Sequence, residues 1–192
     1  MIIMQTYSYK DYEIRIMQAP PYSFNSVDNK PYNKVIVIEN SEYKRGFEIE
    51  IERFGEVQTV LIISSYHTPE NSFTALHKDG LFMMLNEVLC VFNPETLSVD
   101  RQTKINPMGT MFEVHTYSKD YILYGEMDIY RISEDLSVKW DFSGRDIFVN
   151  YQVNEPAFKM TSDRICLYDF EDNYYEIDYN GYVITDKTDV QK

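Results

Sequence analysis

The fold is decided by a hairpin unit whose middle copy, at positions 120–138, reads DYILYGEMDIYRISEDLSV. Further copies stand at 79–99, DGLFMMLNEVLCVFNPETLSV, and at 163–183, DRICLYDFEDNYYEIDYNGYV. Each copy has an acidic residue at a turn, an apolar strand, a short break, a second strand, a polar turn and a third strand that opens on valine. Short apolar runs bounded by turn residues are typical of β-strands. The unit therefore predicts a small antiparallel meander, written three times.

The copies recur at a regular spacing. Their opening aspartates, Asp79, Asp120 and Asp163, lie 41 and 43 residues apart. Propeller blades of four antiparallel strands recur about every 40–50 residues, and residues 79–183 resemble such blades. The closing turn, an acidic residue, then Gly or Leu, then Val, adds to the resemblance. It implies an all-β fold of repeated antiparallel meanders in a small or incomplete propeller-like arrangement; a β-sandwich is the alternative.

An upstream block repeats the meander pattern. Val35–Ile38, Phe47–Glu52 and Val57–Ser65 each have the alternation or the β-branched content of a strand. We expect them to form a further three-stranded meander, which makes about four similar units. The N-terminal strand around Tyr12–Ile16 would then be available to complete the last unit.

Length and composition favour one β-rich domain. The chain has 192 residues, of which 44% are hydrophobic, enough to form a core. Its 17 tyrosines and 11 phenylalanines suit the half-buried surfaces of sheets. We expect a single all-β domain over 1–192, with 1–75 and 76–192 as its sub-units if it divides.

The charge balance restricts the class of partner. Thirty-one acidic residues against 18 basic ones give a net charge of −13. Such a field repels phosphate backbones, so nucleic acid is rejected as a ligand. It would attract a basic protein partner. The alternative explanation is that the acidity maintains solubility.

The chain is predicted to be cytoplasmic and not to contact a membrane. Its N-terminus lacks the basic and long apolar regions of a signal peptide. The longest aliphatic run, Val60–Ile63, is far too short to span a bilayer. Cys90 and Cys166 both lie inside apolar strands and are expected to be buried, reduced thiols.

The most regular alternation in the chain is FEIEIE at 47–52. It places Glu48, Glu50 and Glu52 on one face of a strand, about 7 Å apart. These glutamates are candidate binding residues for a basic partner. The alternatives are a solvated face, or an edge strand whose charges prevent strand addition.

No motif for a metal, cofactor or nucleophile is present. The carboxylates of 169–178 do not follow the EF-hand pattern and are interpreted as a polar hairpin turn. His67, His77 and His115 form no zinc-binding pair. The sequence has no glycine-rich phosphate loop and no nucleophile elbow. We therefore predict no cofactor and no metal.

One loop differs from its surroundings. Gly144-Arg145-Asp146 places a charged pair between two strongly apolar strands. Arg145 is a candidate contact residue that could hold a carboxylate through two hydrogen bonds, and the alternative is an internal ion pair that fixes the turn. If the chain is an enzyme or a small-ligand binder, His77, His115, Arg145 and Asp146 would have to converge where loops meet.

Three functional hypotheses follow, of which the third is a structural or sensor module within a larger assembly. The first is a non-enzymatic cytoplasmic binding protein whose acidic, tyrosine-rich surface recognises a protein partner, such as an immunity or inhibitor protein that neutralises a basic toxin. The second is a small-ligand binder or hydrolytic enzyme with a site at converging loops.

Overall fold

The computed structural model describes residues 3–39, 45–65, 72–150 and 155–187. Every regular element in these stretches is a β-strand, so the prediction of an all-β fold is confirmed. In the same stretches, no helix of the length and apolarity needed to cross a membrane occurs.

The chain divides into two compact units, Met1–Lys104 and Ile105–Lys192. The strands of unit 1 are β1 (Ile3–Tyr9), β2 (Tyr12–Gln18), β3 (Lys34–Val37), β4 (Arg45–Arg53), β5 (Glu56–Ser64), β6 (Thr74–His77), β7 (Gly80–Leu85), β8 (Val88–Asn93) and β9 (Ser98–Lys104). Those of unit 2 are β10 (Met111–Tyr117), β11 (Asp120–Gly125), β12 (Asp128–Ile132), β13 (Val138–Ser143), β14 (Phe158–Met160), β15 (Arg164–Tyr168), β16 (Tyr174–Asp178) and β17 (Val183–Lys187).

The three copies of the hairpin unit supply the last three strands of three sheets. These sheets have the orders β6-β7-β8-β9, β10-β11-β12-β13 and β14-β15-β16-β17. All their neighbouring strands are antiparallel. The first strand of each sheet precedes its copy of the repeat in sequence. The predicted repeated meanders are therefore confirmed.

The turns that close the copies share one backbone conformation. Leu97, Leu136 and Gly181 have φ values of 52°, 70° and 90°, in the left-handed region. The side-chain oxygens of Asn93 and Asp178, where two of these turns start, accept backbone N–H groups within the turn. A β-bulge lies beside each turn. The copies share the left-handed backbone of this turn and the bulge beside it, and they do not share a side chain. Gly and Leu therefore both occur at the left-handed position.

The first sheet corrects the predicted upstream meander. Its order is β1-β2-β4-β5-β3, and β3 runs parallel to β5 at the edge. β4 already pairs with β5 through a two-residue turn and with β2 on its other side. β3 adds to the free side of β5. A parallel neighbour needs a crossover connection, which local alternation does not reveal.

The N-terminal segment also lies elsewhere than predicted. β1 and β2 form a hairpin that joins the first sheet through β4. The fourth sheet obtains all four of its strands from residues 158–187. The proposal that the N-terminal strand completes the last unit was therefore wrong, because β2 shares a long antiparallel register with β4.

Each unit has its own apolar core. In unit 1 the inward faces of β2 and β4 bury Ile14, Ile16, Ile49 and Ile51 almost completely. β7 and β8 are buried on both faces. The core of unit 2 consists of Ile122, Ile129, Phe148, Ile165, Leu167, Tyr175, Ile177 and Tyr179.

Candidate functional site

The glutamate row on β4 has internal partners. Glu48 is 0% exposed, and its carboxylate accepts hydrogen bonds from Lys30 Nζ at 2.5 Å and from Tyr32 Oη at 3.3 Å. Arg15 on β2 donates to Glu50 at 2.7 Å and to Glu52 at 3.0 Å. The alternation was predicted correctly, but the solvated face was wrong for Glu48. The edge-strand alternative was also wrong, because β4 lies between β2 and β5.

A polar loop accounts for the burial of Glu48. The segment between β2 and β3 brings Lys30 and Tyr32 onto the charged face of the first sheet. The Tyr22 ring packs edge-on against Tyr32, with centroids 6.2 Å apart. Asn33 Oδ1 accepts the backbone N–H of Thr59 at 2.8 Å. The polar contacts hold the loop against the sheet, the aromatic contact orders the loop itself, and the loop removes one carboxylate from solvent.

The two described candidate histidines also have neighbouring partners. His77 in unit 1 is buried, and its Nδ1 accepts the backbone N–H of Asp79 at 3.0 Å. His115 in unit 2 lies 2.9 Å from a carboxylate oxygen of Glu113 and packs on Phe158. His67 lies outside the described residues. Within those residues, no group of three or more His, Cys, Asp or Glu side chains could hold a metal ion.

Arg145 is engaged within unit 2. Its Nη1 and Nη2 donate to the two carboxylate oxygens of Asp186 on β17, at 2.6 and 2.8 Å. This pair holds the pKa of Asp186 below its ordinary value, chiefly through the hydrogen bonds from Arg145. The neighbouring Asp146 caps its own loop, since its Oδ1 accepts the N–H of Ile147 at 2.7 Å. The bidentate geometry considered for Arg145 is thus present, with an internal carboxylate as its partner.

The carboxylate-dense turn after β15 is organised by Asp169. This residue is 1% exposed, and it accepts hydrogen bonds from Tyr175 Oη at 2.7 Å, from Asn173 and from the N–H of Glu171. Burial raises the pKa of the Tyr175 hydroxyl, so it stays a proton donor to Asp169. Asp169 is therefore satisfied by protein donors, as a polar hairpin turn requires.

The structure shows which tyrosines are buried and which are exposed. Tyr121, Tyr130, Tyr175 and Tyr179 are in the interior, while Tyr182 is 73% exposed.

The two cysteines also differ in burial. Cys90 is fully buried, which raises its thiol pKa to about 12, whereas Cys166 is only partly buried. Full burial was thus predicted correctly for Cys90 and wrongly for Cys166.

A groove in unit 1 brings together residues that sequence analysis did not select. It has a volume of about 360 Å³ and lies beside the turn that joins β4 to β5. We call it the hairpin groove; its lining residues are Tyr12, Ile51, Arg53, Phe54, Glu56, Gln58, Pro94 and Glu95.

Phe54 is the unusual residue of this groove. Its side chain is 83% exposed, and its φ is 52°, followed by 84° at Gly55. Two successive residues with positive φ form the turn type in which Asn-Gly or Asp-Gly is preferred. A phenylalanine there is strained by about 1–2 kcal/mol, without the compensation of burial. The available sequence signal was an aromatic residue directly before the turn glycine.

The charged groups around the groove are of both signs, and among the described residues one carboxylate has no cationic partner. The Arg53 guanidinium lies 4.8 Å from the Tyr12 ring centroid and 5.1 Å from that of Phe54. Lys10 Nζ contacts Glu95 at 2.6 Å, and this hydrogen bond lowers the pKa of Glu95. Glu56 is exposed and has no ion-pair partner among the described residues. The groove thus combines aromatic surface with the carboxylate of Glu56, which pairs with no cation in the described part of the chain.

The comparisons with known proteins found a likeness in structure and none in sequence. No protein-family model and no curated protein matches the chain. It is similar to the crystal structure of BamB from Moraxella catarrhalis, a β-propeller protein, with a TM-score of 0.53, 8% identity and 95% of this chain covered. The chain spans 60% of the length of that structure. At this identity the likeness shows the fold alone. The fold is all-β and propeller-like.

Proposed function

We propose that this protein is a non-enzymatic binding domain that recognises a basic protein partner through an acidic surface of which the hairpin groove is the centre. The observation that carries the proposal is Phe54, an aromatic side chain that is 83% exposed in a backbone conformation that disfavours it. The Arg53 guanidinium contacts the ring, but most of Phe54 stays exposed, so little packing offsets the strain. Strain that packing does not offset points to function. Exposed aromatic residues are frequent anchors of protein interfaces.

Charge decides the kind of partner. The net charge of −13 steers basic proteins toward the surface and repels nucleic acid. Many cationic side chains are already used internally, as Arg15, Lys30 and Arg145 are. The excess of carboxylates is therefore left for an external cationic surface.

The alternative of a hydrolytic or small-ligand site remains a prediction with less support. Its residues would be His77, His115, Arg145 and Asp146. Each has a polar partner close by in its own unit. Groups held in this way suit a structural role better than proton transfer to a substrate.

Within this class, an immunity or inhibitor protein that neutralises a basic toxin in the cytoplasm fits the size and the charge. A toxin-like reading frame next to this one in the genome would support that assignment. Cell fractionation tests the cytoplasmic location directly.

A capture experiment with matched variants tests the proposal. The whole chain, its Phe54→Asn variant and its Phe170→Asn variant are immobilised and exposed to source lysate at about 0.15 M salt, where charges more than about 8 Å apart are screened. We expect a basic protein to be retained by the whole chain and by Phe170→Asn, and to be lost with Phe54→Asn. Retention that is equal on all three surfaces, or no retention, would contradict the proposal.

A further inference from the structure

We propose that the hairpin groove binds an arginine side chain of the partner, stacked on the Phe54 ring and paired with the carboxylates of Glu56 and Glu95. This inference rests on the proposed function and specifies the chemistry recognised at the same site. It depends on three observations: an arginine of this chain already packs on the aromatic rings of the groove, Glu56 has no ion-pair partner among the described residues, and Phe54 is strained and exposed.

The precedent is Arg53. Its guanidinium lies within about 5 Å of the ring centroids of both Tyr12 and Phe54. This is the distance range of favourable cation–π contact. Its carboxylate partner, Asp11, is 3.6 Å away. The aromatic surface of the groove therefore already holds one guanidinium in this protein.

The room for a second guanidinium is on Phe54. Phe54 is 83% exposed, so Arg53 covers only part of its ring. Glu56 and Glu95 line the same groove, and both are exposed. Glu56 has no ion-pair partner among the described residues, and Glu95 meets one lysine through a single oxygen. An incoming cation therefore finds an aromatic face together with carboxylate oxygens.

Arginine fits this arrangement better than lysine does. A planar guanidinium can stack on a ring while its edge donates hydrogen bonds to a carboxylate, and an ammonium cannot do both. Pro94 and Tyr12 line the groove and, although both are largely buried, add apolar contact for the aliphatic part of the side chain. The ligand inferred is thus an arginine presented on an exposed segment of a basic protein.

The test is an NMR titration of the whole ¹⁵N-labelled chain at low salt. The probes are the peptide acetyl-Gly-Arg-Gly-Arg-Gly-amide and its versions with lysine or citrulline in place of arginine. Citrulline retains the planar shape and removes the charge. The variants are Phe54→Asn, which suits the turn; Phe54→Leu, which keeps apolar surface without a ring; Glu56→Gln; and Phe170→Asn as control.

We expect the arginine peptide to shift the amide signals of Phe54, Gly55 and Glu56 and to bind more tightly than the other two peptides. Both Phe54 variants should weaken its binding about two- to five-fold, the size of one exposed cation–π contact. Glu56→Gln should weaken it about two- to five-fold, and Phe170→Asn should leave it unchanged.

Other outcomes separate the two proposals. If the basic peptides shift signals elsewhere and Phe54→Asn binds them normally, the arginine site is overturned, and the proposed function is then decided by whether Phe54→Asn abolishes the capture of a basic protein. If arginine and lysine peptides bind alike and Phe54→Leu has no effect, charge alone is recognised and the arginine site is again overturned. If neither basic peptide shifts any signal, both proposals are overturned.

Discussion

The indole ring of Trp140 lies against the Cα atom of Gly181. A Cβ atom at Gly181 would be 2.7 Å from the indole Cγ, closer than real contacts allow. The indole Nε1 also donates a hydrogen bond to the carbonyl oxygen of Tyr179 at 3.0 Å. Trp140 on β13 thereby packs on the closing turn between β16 and β17, and it joins the third and fourth sheets inside unit 2.

Replacing Gly181 by alanine should destabilise the protein. Its φ of 90° disfavours any side chain, and the indole ring would have to move. Together these effects should lower the free energy of unfolding by about 2–4 kcal/mol. Calorimetry measures the loss, and the fluorescence of Trp140, the single tryptophan, should change in the folded state.

Gly55 provides the matched control for this substitution. Its φ of 84° is similar, but a Cβ there would meet nothing within 4 Å. Gly55→Ala should therefore show only the conformational part, about 1 kcal/mol. Equal losses for the two variants would mean that the contact with Trp140 contributes nothing.

Removing the cation next to Glu48 should be more damaging than removing both charges. In Lys30→Met the carboxylate of Glu48 stays buried without its ion partner. We expect a loss of about 2–4 kcal/mol in the free energy of unfolding, reduced from the fully buried case because Lys30 is partly exposed. Urea denaturation measures it. The double variant Lys30→Met/Glu48→Gln should recover part of the loss, and a double variant as unstable as Lys30→Met would argue against an unpaired-charge effect.

Asp120 should make stability depend on pH in the acidic range. Burial by itself raises the pKa of Asp120, but hydrogen bonds from Lys139 and Arg131 outweigh it and hold that pKa below its ordinary value of 3.8. Because the folded pKa is the lower one, the stabilisation is present above pH 3.8 and is lost as pH falls through the folded pKa. Asp120→Asn should thus be less stable than the native chain at pH 7, by about 1–3 kcal/mol, and the difference should shrink in strong acid.

Asp141 serves as the control for Asp120. It is exposed on β13 and has no ion-pair partner among the described residues. Asp141→Asn should change stability little at any pH. Urea titrations of the three proteins at neutral and acidic pH compare them. A deficit of Asp120→Asn that is the same at both pH values would exclude the proposed linkage.

Phe54→Asn should stabilise the protein while it weakens binding. Asparagine tolerates the left-handed backbone at this turn, and little burial is lost because the phenylalanine ring is exposed. The gain should be about 0.5–1 kcal/mol in the free energy of unfolding. Thermal unfolding measures it. A clear loss of stability would show that the ring contributes to folding, and it would remove the main support for a binding role.

The sequence predicted best what depends on neighbouring residues. The repeat at 79–183 located nine strands, and their hairpins pair as expected. It predicted the alternation of 47–52 but not the burial of Glu48, because Lys30 reaches that carboxylate from a loop 18 residues away. It marked Arg145 but not its partner Asp186, which is 41 residues further along.

By itself, then, the sequence determined the nine strands of the repeat, the positions of its closing turns and the acidic character of this protein. These follow from period-two alternation, from turn chemistry and from the count of charges, all of which are local or additive. Only the tertiary structure decided that β3 lies parallel to β5, that Glu48 is buried and that Phe54 stands exposed in one groove with Glu56 and Glu95. Each of these features depends on which distant segments pack against or pair with a residue. The pattern of neighbouring residues along the chain does not contain that information.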